Sequence, residues 1–414
     1  MNGRLLHGMS PKKILEPRIP FREFAPALVL VLNSIVWFTL TAALFSDSIR
    51  RLGLPLVDSI ALHGMYYAGI ALSALLGAQV FPKRRENCLI LWMLLGTFMT
   101  ILTNGIQSFP LTANFFVSLL LGISTGLGLP SSLAYFADTT SVENRSTYGG
   151  LTWITVGVVA VVLAVALNVL DPFLTLLVLA TWRAAGIVLF LGLSRLRGRL
   201  PPPSNVLSYR VILSKKDTIL YLLPWVMFSL VNFTESPILG NVFGDSQQFV
   251  AFIEFAITGV FAVAGGILSD IVGRKRVVIT GFVVLGIGYA VLGLFSGVQA
   301  SWYVYTACDG MAWGMFASVF FMTLWGDLAG TAQKEKFYVI GGLPYLLAGF
   351  LPVVVEPFAG QIQTVTAFSL ASFFLFVAVL PLMYAPETLP EKRIKERELR
   401  DYLDKAKRAK EKYA

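Results

Sequence analysis

Charge is scarce in this chain of 414 residues: Asp, Glu, Lys and Arg together make up 14%, against 56% hydrophobic residues. The mean hydropathy is +0.71. So little charge cannot clothe two or three soluble domains, and lipid is the expected solvent for most of the chain. Cysteine is almost absent, with two residues, which excludes a disulfide scaffold. Histidine is equally rare. His7 sits in a charged N-terminal stretch and His63 in an apolar one, so no His/Cys cluster with metal-ligand spacing arises, and neither metal nor cofactor is expected. A Walker phosphate loop is missing, which argues against direct ATP hydrolysis. No nucleophile and base pair stands out, which argues against an enzyme.

What the chain has instead is long apolar runs. A hydrocarbon core of ~30 Å takes about 20 helical residues to cross, and backbone groups inside it must be satisfied within the segment. Twelve runs qualify, at 25–46, 56–81, 88–108, 112–136, 148–169, 173–194, 218–238, 247–269, 277–297, 301–325, 337–356 and 362–385. They are continuous and punctuated by glycine, without the short alternating segments of a membrane barrel. The expected fold class is an all-α integral membrane protein. The first run is too long for a signal-peptide core and is read as a retained helix.

A formal charge of +9 raises the question of nucleic acid, and the positions of the 33 Lys and Arg answer it. With the N-terminus in the cytoplasm, 30 of the 33 fall in cytoplasmic tails and loops, leaving only Arg50 and Arg51 outside and Arg183 within a span. That is the positive-inside asymmetry of an even-numbered bundle with both ends cytoplasmic, here expected in the plasma membrane. Topology therefore accounts for the net charge without nucleic acid.

The longest internal polar stretch holds Pro201-Pro202-Pro203 and divides the spans six and six. The expected organisation is an N-terminal tail (1–24), a six-helix bundle (25–194), a linker (195–217), a second six-helix bundle (218–385) and a charged C-terminal tail (386–414). A shift of 189 residues brings Gly77 onto Gly266, Phe81 onto Asp270, Arg85 onto Arg274 and Asp138 onto Asp327, which reads as duplication. In the last tail, Ile394, Leu399, Leu403 and Ala406 are spaced like one face of a helix, expected to lie near anionic headgroups.

After the eighth run comes Gly266-Ile-Leu-Ser-Asp270-Ile-Val-Gly273-Arg274-Lys275-Arg276. Gly266 permits a close helix approach and Gly273 a tight turn. Asp270 is placed to accept hydrogen bonds from a helix N-terminus, expected at Ser146–Gly150 of the fifth span, with Arg274 available to Asp138 or Glu143. This spacing resembles the loop signature of the major facilitator superfamily, and the six-plus-six arrangement with a basic linker is similar to that family over nearly the whole chain. Weaker resemblances, to its sugar-porter and organic-ion branches, lie in Tyr135-Phe-Ala-Asp138 with Glu143-Asn144-Arg145 and in Pro386-Glu387-Thr388. The first loop departs from the signature: Phe81 stands where the acid belongs, so the first-half latch is expected to be the weaker one.

The resemblance implies two bundles related by a pseudo-two-fold axis, a solute site between them, and alternating access by rocking. The first, fourth, seventh and tenth spans would line the cavity. Candidate lining residues are then Asn33, Trp37, Thr41, Ser118, Ser124, Thr125, Trp225, Asn232 and Trp313. Ionisable residues inside spans are costly, at ~2.5 kcal/mol or more, and so are functional hypotheses by default. Arg183, Glu254 and Asp309 qualify. Arg183, on the peripheral sixth span, is expected in a structural ion pair with an acid or carbonyl. Asp309 is the leading coupling residue and Glu254 its reserve.

The function that follows is secondary active transport of a small organic solute, such as a sugar or organic acid, coupled to protons, by a monomer in a lipid bilayer. Efflux of an organic cation or drug is the alternative within the class. A sensor or assembly partner that keeps the fold without transport is the alternative outside it.

Overall fold

Each apolar run closes into a helix because lipid offers its backbone no other hydrogen-bond partner. The computed structural model describes residues 19–197 and 205–389. The proline triplet and the amphipathic pattern of the C-terminal tail lie outside the described residues. Among the described residues twelve helices are long and apolar enough to span a membrane: α1 (Phe21–Arg51), α2 (Leu56–Val80), α3 (Arg85–Thr103), α4 (Leu111–Thr139), α5 (Arg145–Leu167), α6 (Pro172–Arg195), α7 (Lys216–Ser246), α8 (Phe249–Val272), α9 (Arg274–Leu294), α10 (Gln299–Ala329), α11 (Lys334–Gln361) and α12 (Thr364–Tyr384). The molecule is an all-α integral membrane protein of two pseudo-symmetric six-helix bundles.

The packing repeats between halves. In the first, α2 lies on α4 and α3 on α6; in the second, α8 lies on α10 and α9 on α12. The halves meet where α5 runs along α8 and where α2 and α4 meet α11. Large apolar side chains point away from the bundle, among them Leu72 and Leu76 of α2, Val158 and Val162 of α5, and Phe252 and Phe255 of α8. In water such a surface would drive association; against acyl chains it is the solvated face.

Two helices leave regular geometry near the centre. Residues Ala317–Phe321 of α10 form a π-helical turn, and α7 carries Pro224 and Pro237 inside it. Both devices bend or loosen a helix at a defined point. Because each helix crosses once, the turns after α2, α4, α8 and α10 share one face. That face carries Arg84 and Arg85, Arg145, Arg274 to Arg276, Lys334 and Lys336, and is called the basic face below.

Candidate functional site

At the basic face the two halves are locked by backbone proximity first and charge second. A side chain at Gly266 would run into the Ser146 carbonyl, and one at Gly150 into the Ala262 carbonyl, so α8 and α5 cross with backbones in contact. That approach sets the Asp270 carboxylate against the first turn of α5. It accepts from the Thr147 amide at 2.7 Å, the Thr147 hydroxyl at 2.6 Å and the Ser146 amide at 3.3 Å. These amides have no partner within their own helix, and the partial positive charge there favours an anion. The chain turns at Gly273 with φ of 105°. Glu387 then caps the next helix, accepting from the amides of Arg274 at 2.9 Å and Lys275 at 3.2 Å. The Pro386-Glu387-Thr388 motif thus ties the end of α12 to the start of α9.

Around this latch runs an ion-pair network built twice. Arg274 bridges Asp270 at 2.8 Å and Asp327 at 3.1 Å, and Arg145 from the first half also pairs with Asp327. In the first half Arg85 meets Asp138 at 2.6 Å, and Lys334 from the second half reaches the same Asp138 at 2.5 Å. The 189-residue shift that superposes Arg85 on Arg274 and Asp138 on Asp327 also places Arg145 on Lys334. Each aspartate therefore holds one cation from its own half and one from the other. Arg274, expected on Asp138 or Glu143, goes to Asp270 and Asp327 instead, because Asp138 is held by Arg85 and Lys334.

The expectation of a weak first latch needs correction. Phe81 supplies no carboxylate, yet Arg85 also donates from Nε to Glu335 at 2.7 Å, and Glu335 lies in the first turn of α11 with no exposed side-chain surface. The missing acid is supplied from the opposite half. Glu335→Gln is accordingly expected to open the basic face about as strongly as Asp270→Asn, and Phe81→Ala hardly at all. Cysteine accessibility in the turns after α4 and α10 reads this directly, and equal shifts from Phe81→Ala and Glu335→Gln would remove Glu335 from the lock.

The second cluster lies within the second half. Side chains added at Gly310 and Gly314 would strike Ile257 and the backbone at Thr258 and Phe261, so α10 rides closely on α8 through a Gly-x-x-x-Gly surface. A side chain at Gly310 would also meet the Glu254 carbonyl at 3.0 Å, and Asp309, next to Gly310, lines the same cavity as Glu254. Two carboxylates facing one small cavity repel each other when both are ionised, which favours a proton or another cation between them. The pair faces a cavity of about 190 Å³ lined by Asn232 and Ser236 of α7, Glu254 of α8, and Tyr305, Asp309 and Trp313 of α10. Asp309 is 4% exposed, and its Oδ1 has no hydrogen-bond donor among the described residues. A third carboxyl, Glu235 of α7, next in sequence to the lining residue Ser236, is buried with Oε2 also lacking a donor among the described residues.

Residues 218–409 match the family model described as Major Facilitator Superfamily. That match spans 192 of the 414 residues and lies in the second six-helix half. The fold of the chain is similar to that of a bacterial homologue of the iron transporter ferroportin in an outward-facing state (TM-score 0.67, 14% identity, 89% of this chain and 98% of that one). It is similar as well to the human organic anion transporter TETRAN (TM-score 0.65, 15% identity, 90% and 100%) and to the Escherichia coli fucose:proton symporter FucP (TM-score 0.64, 10% identity, 89% and 99%). No curated protein sequence matches the chain.

Within this major facilitator fold the lining candidates separate. Asn232 and Trp313 face the acidic cavity with Glu254 and Asp309. Trp225 does not line it: the ring is buried, stacks on Phe320 at 4.6 Å and Phe228 at 5.2 Å, and donates to the Gly341 carbonyl at 2.7 Å. Ser124 is buried and donates to Leu121 O one turn back. Asn33 and Trp37 are engaged by Arg183. Among the described residues the Arg183 guanidinium meets no carboxylate; it stacks between Trp37 at 4.5 Å and Trp92 at 4.3 Å and donates to Asn33 Oδ1 at 2.8 Å and Ser34 Oγ at 2.9 Å. Of the acid or carbonyl expected as its partner, the amide carbonyl of Asn33 is the one present, and two aromatic faces add the attraction of their quadrupoles for a cation. Sequence reasoning missed three residues. Glu235 was visible as an acid inside a span, and Lys334 lay one 189-residue step from Arg145, whereas Glu335 carries no internal signal.

Proposed function

We propose that this chain is a secondary active transporter of a small organic solute, coupled to protons through the Glu254–Asp309 carboxyl pair. The observation that carries the reading is that pair itself, buried on two closely packed helices and open to a cavity. A group that favours a proton when alone, and that can yield it when another charge arrives, is suited to couple proton and solute movement. The lock at the basic face supplies the other requirement, a barrier that closes one side.

The test uses proteoliposomes loaded with a pH-sensitive dye and a panel of amines, sugars and organic acids added outside. A coupled solute should move the internal pH, and the signal should vanish when a protonophore clamps the gradient. Solute exchange without any pH change would overturn the coupling. No flux of any panel member would favour a sensor or assembly role.

The basic distribution supports both termini and the linker on the cytoplasmic side of the plasma membrane. Single cysteines near Lys83, Lys215 and Lys410 should then resist an impermeant reagent added outside intact cells. Labelling there from outside would reverse the orientation.

A further inference from the structure

We propose that the solute is a small organic cation, an alkylammonium of a few carbon atoms, seated in the cavity between α7, α8 and α10 with its nitrogen on Asp309. This rests on the transporter reading above and specifies its substrate class.

The charge of the cavity is one-sided. Glu254 and Asp309 line it, and no Lys, Arg or His is among the residues lining it. A negative charge held away from water is stable only when paired or hydrogen-bonded. Every buried acid of the basic-face lock has an arginine or lysine; the acids here have none. The Asp309 Oδ1 atom is an acceptor without a donor, which a ligand N–H would satisfy. A solute anion would meet like charge at the same point.

The remaining wall selects the kind of cation. Trp313, Tyr305 and Phe243 turn aromatic surface to the cavity, which favours an alkylated ammonium over a strongly hydrated alkali ion. Asn232, Ser236 and Gln247 add neutral groups able to orient a hydroxyl on the same ligand. Among the described residues no three His, Cys, Asp or Glu side chains come together as a metal set, so a tightly held transition metal lacks its ligands. Size sets the upper limit. A volume of about 190 Å³ holds the equivalent of about six waters at ~30 Å³ each and falls below the ~300–1,000 Å³ of drug-sized sites.

The full chain in lipid nanodiscs should be titrated with ethanolammonium, ethylene glycol and glycolate, three probes of matched size carrying positive, zero and negative charge. Thermal stability and Trp fluorescence both report binding. The expected result is a saturable rise in melting midpoint with ethanolammonium alone. Asp309→Asn should weaken that binding by tenfold or more, and Trp313→Leu by about fivefold. Equal responses to glycol or glycolate, or full ethanolammonium binding by Asp309→Asn, would overturn the assignment. The same shift with sodium chloride would make this an inorganic cation site and likewise overturn it. Glu254→Gln serves as the second variant should Asp309→Asn fail to fold, with the same tenfold loss expected. Ethanolammonium that binds but is never carried in the proteoliposome assay would refute transport and leave the site standing, whereas carriage of a neutral solute by Asp309→Asn would refute the site and leave transport standing.

Discussion

Asp309→Asn is expected to abolish the concentration ratio that a pH gradient sustains, while solute exchange persists once solute is raised tenfold or more to offset the weaker binding. Each unit of gradient is worth about 1.4 kcal/mol per proton, or a tenfold accumulation for a one-to-one coupling. A tenfold ratio in the parent should therefore fall to about onefold in the variant. The reason is geometric: the Asp309 and Glu254 carboxyls face one cavity, where repulsion between two ionised acids favours a proton, and an amide at 309 no longer exchanges one. Glu254→Gln should produce the same loss for the same reason. A residue needed only for packing would lose folding and exchange together, so counterflow of solute at zero gradient separates the two roles. Accumulation at the parental ratio by both variants would sink the coupling assignment.

Asp327→Asn should have the largest effect on conformation. The Asp327 side chain has no exposed surface and pairs with both Arg145 and Arg274, which are themselves buried. Removing its charge leaves Arg145 with no carboxylate and Arg274 with Asp270 alone. Breaking a buried pair from one side costs about 3–5 kcal/mol, which corresponds to a shift of about a hundredfold to several thousandfold away from the closed basic face. Spin labels in the turns after α4 and α10 should report a longer distance. Asp47→Asn is the control, since its pair with Arg51 is solvent-exposed on both sides and worth little. An unchanged distance distribution in Asp327→Asn would show that the network is not the barrier.

The twelve helices were readable because a run of about 20 apolar residues has one stable answer in lipid, and that answer depends on no other part of the chain. The Asp270 latch was readable for a similar reason: acid, glycine and turn lie within a few residues, and an acid there seeks the free amides of a helix N-terminus such as that at Ser146 and Thr147. Glu335 was not readable. The 189-residue shift pointed to position 81 for the missing acid, whereas Arg85 requires only a carboxylate nearby, whichever segment delivers it. Arg183 was readable in part. Its burial demanded a polar partner, an acid or a carbonyl, and the Asn33 amide supplies a carbonyl; the two indoles on α1 and α3 were not readable, because stacking depends on how three helices rotate against one another. Asn33, Trp37 and Ser124 were placed on the right spans, but a span assignment does not say whether a polar group meets a solute or a neighbouring helix. Asp309 and Glu254 were singled out one at a time, and their shared cavity emerged only from the register of α10 on α8.

Synthesis of the chain proceeds from Arg85 towards Glu335, and 250 residues separate them. At roughly 5–20 residues per second, the ribosome delivers that carboxylate about 12–50 s after the arginine. Asp138 reaches Arg85 early, but Arg145 has only Asp327, which also belongs to the late half. Throughout insertion of the first six helices the nascent chain therefore presents cations whose final counter-charges do not yet exist. Such uncompensated cations are what orients a helical hairpin in the membrane. The same arginines thus direct insertion first and bind the two halves together afterwards, with the late arrival of α10 and α11 separating the two roles in time.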